Sequence, residues 1–181
     1  MRIIAGKHRA KKLLANEKGV RPTTSRTREA IFNILENVYP DNLHSANILD
    51  LCAGSGALGL EALSRGAKFA TFVDNNADSI KYLKINIENC KEKNNTKIIF
   101  SDVIKLNDSD IKYDLIFLDP PYETNFINKC LNQLIEKNFI AKNALIIIET
   151  DAKIKLEIPD NFSLLNERLY GNTKISLLNL L

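Results

Sequence analysis

Two uninterrupted apolar runs, Leu115-Ile116-Phe117-Leu118 and Leu145-Ile146-Ile147-Ile148, do most to limit what this chain can fold into. A strand with one wet face alternates apolar and polar residues, whereas a run that is apolar throughout needs cover on both faces, as in a parallel sheet flanked by helices. The rest of the chain supplies that cover in alternation. Ile48-Leu49-Asp50-Leu51, Phe69 to Asp74 and Lys97 to Phe100 read as further strands. Ala57 to Arg65, stopped by Gly66, reads as a helix, as do the faces marked by Ile80, Leu83, Ile87 and Cys90 and by Ile127, Cys130, Leu131, Leu134 and Ile135. After Pro159 the alternation ends, and Phe162 to Tyr170 and Lys174 to Leu180 flank a Gly171-Asn172 hairpin signal. The pattern predicts an α/β fold: a Rossmann-like, doubly wound, mostly parallel seven-stranded sheet with an antiparallel C-terminal hairpin.

Ahead of this body lies a basic segment. Residues 1–30 carry nine Lys and Arg against two acids, a net +7, while the other 151 residues carry 16 against 20, a net −4. A basic arm before a mildly acidic body is a footprint for a polyanion, and phosphate contacts supply most non-specific affinity for nucleic acid. Arg2 to Leu14 reads as a short hairpin turning at Gly6 to Arg9. Pro22 holds Arg21 extended, and the hydroxyls of Thr23, Thr24 and Ser25 can cap a helix bearing Ala30, Ile31, Ile34, Leu35 and Val38 on one face, ended by Pro40-Asp41-Asn42. The expected organisation is a small N-terminal extension, 1–42, and a body, 43–181, since 181 residues leave no room for a second ordinary domain.

Other classes are set aside by what the chain lacks. No apolar run approaches about eighteen residues, and Met1 to Lys7 is not a secretory leader, so a cytoplasmic protein with no membrane partner is expected. Cys52, Cys90 and Cys130 are too few and too widely spaced for a disulfide framework or, with only His8 and His44 to help, for a zinc site. They are expected to be packing residues.

Two motifs carry chemistry. Gly54, Gly56 and Gly59 fit G-x-G-x-x-G between a strand and a helix, where small residues and free helix N–H groups let a ligand approach the backbone. Asp74, 20 residues after Gly54 at the end of the next strand, can take two ribose hydroxyls. Asp50 at the end of the first strand can hold a ligand ammonium, and Asp102 after the third can accept from an adenine amine. A nicotinamide dinucleotide and S-adenosylmethionine both fit so far. The second motif, Asp119-Pro120-Pro121-Tyr122, directly follows the buried run 115–118. Two prolines stiffen the turn and remove two N–H donors, which leaves the Asp119 carboxylate and the Pro120 carbonyl as acceptors for an exocyclic amine, with Tyr122 as a stacking face. That set suits methyl transfer to the amine of a base lifted from its stack.

On these residues, and on Arg21-Pro22-Thr23-Thr24-Ser25-Arg26-Thr27-Arg28-Glu29-Ala30-Ile31-Phe32-Asn33 and Leu49 to Ala62, the chain resembles the class I S-adenosylmethionine-dependent methyltransferases. More narrowly, it resembles the RsmD family of bacterial small-subunit rRNA guanine-N2 methyltransferases. The resemblance covers essentially the whole chain. It implies cofactor contacts at Asp50, Gly54, Gly56, Asp74 and Asp102; with their neighbours Ala53, Ser55, Asn75 and Val103 these form the candidate cofactor set. It implies a base pocket at Asp119, Pro120, Pro121 and Tyr122, where the family often has Phe in place of Tyr122. The implied partner is 16S rRNA in a partly assembled small subunit, met by a monomer. Arg21, Thr23, Thr24, Arg26 and Arg28 are expected to border the mouth of the site and grip phosphates. Three rivals share parts of the pattern: a nicotinamide-dependent oxidoreductase, an adenine-N6 DNA methyltransferase and a non-catalytic RNA-binding assembly factor.

Overall fold

The structure, a computed structural model, describes residues 1–15, 24–120 and 124–181. Seven strands form one sheet: β1 (Asn47–Leu51), β2 (Phe69–Asp74), β3 (Thr96–Phe100), β4 (Tyr113–Leu118), β5 (Ile140–Asp151), β6 (Phe162–Tyr170) and β7 (Thr173–Leu180). Their order is β3-β2-β1-β4-β5-β7-β6. The first five strands pair in parallel, while β7 runs antiparallel between β5 and β6. The doubly wound sheet with its C-terminal hairpin is therefore present. β5 is longer than its apolar tetrapeptide, because Ile140 reaches back across a register shift to pair with Tyr113.

Helices cover both faces, as the all-apolar runs require. α1 (Ser25–Val38), α2 (Ala57–Ser64) and α3 (Ala77–Cys90) pack on one face, and α4 (Thr124–Glu136) on the other. The runs divide accordingly. Leu115, Phe117, Leu145 and Ile147 enter the core beneath α1 to α3, and Ile116, Leu118, Ile146 and Ile148 enter the core beneath α4.

The N-terminal segment folds back as a short hairpin: Arg2 bridges Lys12 antiparallel, and backbone N–H groups of Ile3, Ala10 and Leu13 donate to the carbonyls of Lys11, Ile3 and Met1, around a 3-10 turn at Gly6–His8. Ile3, Leu13, Ile31, Phe32 and Leu35 belong to the same core cluster as Ile48, Leu60 and Phe117, so the described residues 1–15 and 24–42 share the body's core. Val38 is 59% exposed despite its helical spacing, because α1 ends there at the margin of that core.

The direction of α1 matters for function. The Phe32 ring lies 5.9 Å from that of Phe117, and after the helix Asn42 Nδ2 donates to the carbonyls of Asp114 and Asn143, each at 2.9 Å, near the amino end of β4. α1 thus runs from the carboxyl edge of the sheet to its amino edge. Its fourteen residues span about 21 Å, the length of β4, and its first turn sits over the carboxyl edge. Thr24 caps that turn by accepting from the Thr27 N–H at 3.1 Å.

Candidate active site at the carboxyl edge

Parallel register brings Asp74 and Asp119 to one level, on either side of Cys52. Leu51 pairs with both Val73 and Leu118, so Cys52, Asp74 and Asp119 follow side by side. Asp74 pairs with Phe100, which puts Ser101 and Asp102 next along the same edge. The half-buried Cys52 thiol reports this crowding. Burial raises its pKa, and Cys130, Asp74, Asp119 and Asp50 add to the rise in that order. Cys52 sits among carboxylates, and Cys90 and Cys130 are buried in the two cores.

The glycine turn is built around two of these acids. Asp74 Oδ2 accepts from the Gly54 N–H at 2.7 Å, and its Oδ1 accepts from the Asn76 N–H at 2.8 Å. Asp50 Oδ2 accepts from the Gly59 N–H at 2.9 Å. A Cβ on Gly59 would stand 2.4 Å from the Phe72 ring and 3.1 Å from Asp50 Oδ2, so only glycine lets α2 lie this close to β1 and β2. Gly54 differs: its φ is +54°, and a Cβ there would meet nothing within 4 Å. The turn is closed on its helix side and open at Gly54. Ala53 and Ser55 beside it are half-buried, and Asn75 is exposed at the rim. Asp102 is half-buried, with Oδ1 capping a short 3-10 turn through the Ile104 N–H at 3.2 Å. The Val103 side chain is buried in the core beneath α4.

Burial pushes the Asp50 carboxyl up to about 7; the Gly59 N–H opposes the rise and Asp74 adds to it. The folded protein therefore holds a proton that the unfolded chain releases, and this group's stabilisation is full below about pH 4 and lost as pH rises towards 7. Asp50→Asn keeps an acceptor for Gly59 and removes the titration. Between pH 5 and pH 8 the variant's melting temperature should fall by several degrees less than the wild type's. Equal falls would show that Asp50 does not titrate in that range.

The chain matches the family model described as Conserved hypothetical protein 95 over residues 1–179. It is 37% identical over 176 residues to ribosomal RNA small subunit methyltransferase D of Haemophilus influenzae, covering 94% of this chain and 89% of that one. The chain belongs to the RsmD family. The Escherichia coli member is 36% identical over 174 residues, covering 94% and 85%. The solved structure of the Escherichia coli protein yhhF aligns with a TM-score of 0.87 at 34% identity, over 99% of this chain and 97% of that one. A distant neighbour, SMU.776, solved in complex with SAH, shares the fold with a TM-score of 0.66 at 18% identity, over 89% of this chain and 51% of that one.

Within this RsmD fold the expected substrate residues separate. Thr24 and Arg26 lie exposed in the first turn of α1, above the acidic edge. Arg28 does not grip phosphate: it is fully buried, and Nη2 donates to the Arg2 carbonyl at 2.6 Å. It stands one turn before Ile31 and Phe32 and two before Leu35 on the buried stripe, a position that hides the guanidinium from any RNA. Arg21, Thr23, Pro121 and Tyr122 lie outside the described residues. Asp119 is half-buried and Pro120 buried at the edge.

Two residues that the sequence reading passed over organise this region. Glu61, fully buried on α2, accepts from the N–H groups of Ile4 at 2.7 Å and Ala5 at 3.0 Å and from Arg65 Nε at 2.8 Å, with Arg28 Nε at 3.8 Å. It is the one charge in an otherwise uncharged helix, and that was its signal. Asn86 of α3, also fully buried, exchanges two hydrogen bonds with the Leu14 backbone at 2.8 Å each and donates to the Ser55 carbonyl at 2.9 Å. Together they fasten the N-terminal segment to the glycine turn and its helix.

Proposed function

We infer that this chain transfers a methyl group from S-adenosylmethionine to the exocyclic N2 amine of a guanine in 16S rRNA, acting on a partly assembled small subunit. The observation that carries the reading is the register that sets Asp119 beside Cys52 and Asp74, one strand away from the open glycine turn. Family membership and the basic first turn of α1 support it.

The residues present fit the cofactor. Gly54 leaves room against the backbone, Asp74 offers further lone pairs for ribose hydroxyls, Asp102 faces the adenine end, and Asp50 balances the amino-acid ammonium. Bound there, S-adenosylmethionine supplies an electrophilic methyl on a sulfonium. The chain's own work is to position the acceptor. The guanine amine is a poor nucleophile, because its lone pair is delocalised into the ring. Asp119 and the Pro120 carbonyl, each accepting one N–H, turn that lone pair towards the methyl and hold the nitrogen in line. The Asp119 charge also favours the positive charge that grows on nitrogen as the N–C bond forms. Thr24 and Arg26, at the N-terminus of α1, hold flanking phosphates so that the flipped base reaches the turn.

Labelled methyl transfer to partly assembled small subunits tests this, with N2-methylguanosine as the labelled nucleoside after digestion. Label on an adenine, or none, would overturn it. In the same assay Arg26→Ala should weaken RNA binding and flatten its log–log salt dependence by about one contact. An unchanged slope would remove α1 from the interface.

A further inference from the structure

In the proposed reaction Asp119 and the Pro120 carbonyl accept an amine, and an amine is common to guanine and adenine; something else has to tell the two rings apart. We propose that Glu149 is that specificity-determining residue, and that its carboxylate accepts the N1–H of the target guanine. The proposal rests on the function inferred above and adds a recognition contact to it.

β4 and β5 pair in parallel with Leu118 opposite Ile148, so Asp119 and Glu149 are the next neighbours across the pair. Adjacent strands lie about 4.8 Å apart. Side chains alternate along both strands. Leu115 and Phe117 share the core beneath α1 with Leu145 and Ile147, and the residues between them enter the core beneath α4. Continuing the alternation by one step puts Asp119 and Glu149 on the α1 face, at the carboxyl edge over which α1 begins. On its other side Glu149 pairs with Ile175 of β7, which is fully buried, so the wall beneath it is closed. Glu149 itself is half-buried. It ends the polar line that starts at Asp119.

A guanine enters such a wall with its Watson–Crick edge, where N1–H stands beside the N2 amine. Asp119 and the Pro120 carbonyl satisfy the amine. In a pocket that excludes water, N1–H then needs an acceptor of its own, and an unpaired donor there is costly. Glu149 supplies the acceptor on the adjoining strand. Adenine presents a bare N1 lone pair beside its amine, which a carboxylate repels. Discrimination by such a polar mismatch is far stronger than discrimination by shape.

The test uses partly assembled small subunits reconstituted with either guanine or 2-aminopurine at the target position, located beforehand by mass mapping. 2-Aminopurine keeps the exocyclic amine and has a bare N1. Wild-type protein should prefer the guanine RNA in kcat/KM by about 100-fold, and Glu149→Gln, whose amide can donate to N1, should narrow the preference to below about 10-fold. The O6 that 2-aminopurine also lacks is missing for both enzymes and cancels in that comparison. Glu149→Ala should lose guanine activity by about 10- to 100-fold with cofactor affinity unchanged. Variants that lose activity equally on both RNAs, leaving the preference as in wild type, would overturn the proposal and assign Glu149 a structural role. A wild-type enzyme that labels an atom other than guanine N2 would overturn the function beneath the proposal, and the proposal with it.

Discussion

Asp119→Ala should bind S-adenosylmethionine with an affinity close to that of the wild type and transfer methyl at least about 1,000-fold more slowly. The two outcomes separate because the proposed mechanism assigns the acceptor to Asp119 and the cofactor to the glycine turn. Asp74 makes the bonds that shape that turn, to Gly54 and Asn76, and Asp50 makes the one to Gly59. Asp119→Asn sharpens the result. It keeps a carbonyl oxygen for one N–H of the amine and loses the charge, so its rate should fall between those of wild type and Ala. Calorimetry with the cofactor and single-turnover transfer to the small-subunit substrate read the two quantities separately. An Asp119→Ala protein of unchanged rate would remove the turn from the chemistry. One that no longer binds cofactor would place Asp119 in the cofactor site.

Glu61→Ala should cost about 3–5 kcal/mol of stability, the usual penalty for breaking a buried ion pair and stranding its partners. The variant leaves Arg28 fully buried without its carboxylate and strips the acceptor from the Ile4 and Ala5 N–H groups. Arg65 suffers less, because its Nη1 also meets Glu36 at 2.9 Å. For a chain of this size the loss is a drop in melting temperature of about 10 °C. Glu61→Gln, which keeps an acceptor oxygen, should fall by less and serves if the alanine variant does not fold. Melting temperatures of both, against wild type, check this. A shift of under about 1 kcal/mol for alanine would mean that solvent reaches the cluster.

How much of this was legible in the sequence follows from where the information sits. Strands β1, β2, β4 and the centre of β5 could be read because their apolar runs are set by burial on both faces, a local property of the residues. Asp74 and Asp119 could be placed because each ends such a run, and parallel strands carry their ends to one edge. Arg28 was misread for a physical reason. Its charge drew attention to RNA, while its spacing to Ile31, Phe32 and Leu35 already put it on the buried face of α1. Burying a guanidinium requires a buried carboxylate, and the partner, Glu61, is 33 residues away. The roles of Asn86 and Glu149 were hidden in the same way. One depends on a contact across 72 residues, the other on the pairing of β4 with β5. Periodicity reports which side of an element is covered but not what lies across from it.

The central claim is most directly tested by mass mapping of 16S rRNA from cells lacking this protein beside rRNA from the parent strain. One guanine that carries an N2-methyl in the parent should be unmodified in the deletion strain, and should regain the methyl when the wild-type gene, but not the Asp119→Ala version, is returned. Identical maps from the two strains, or a missing methyl on any other atom, would contradict the account.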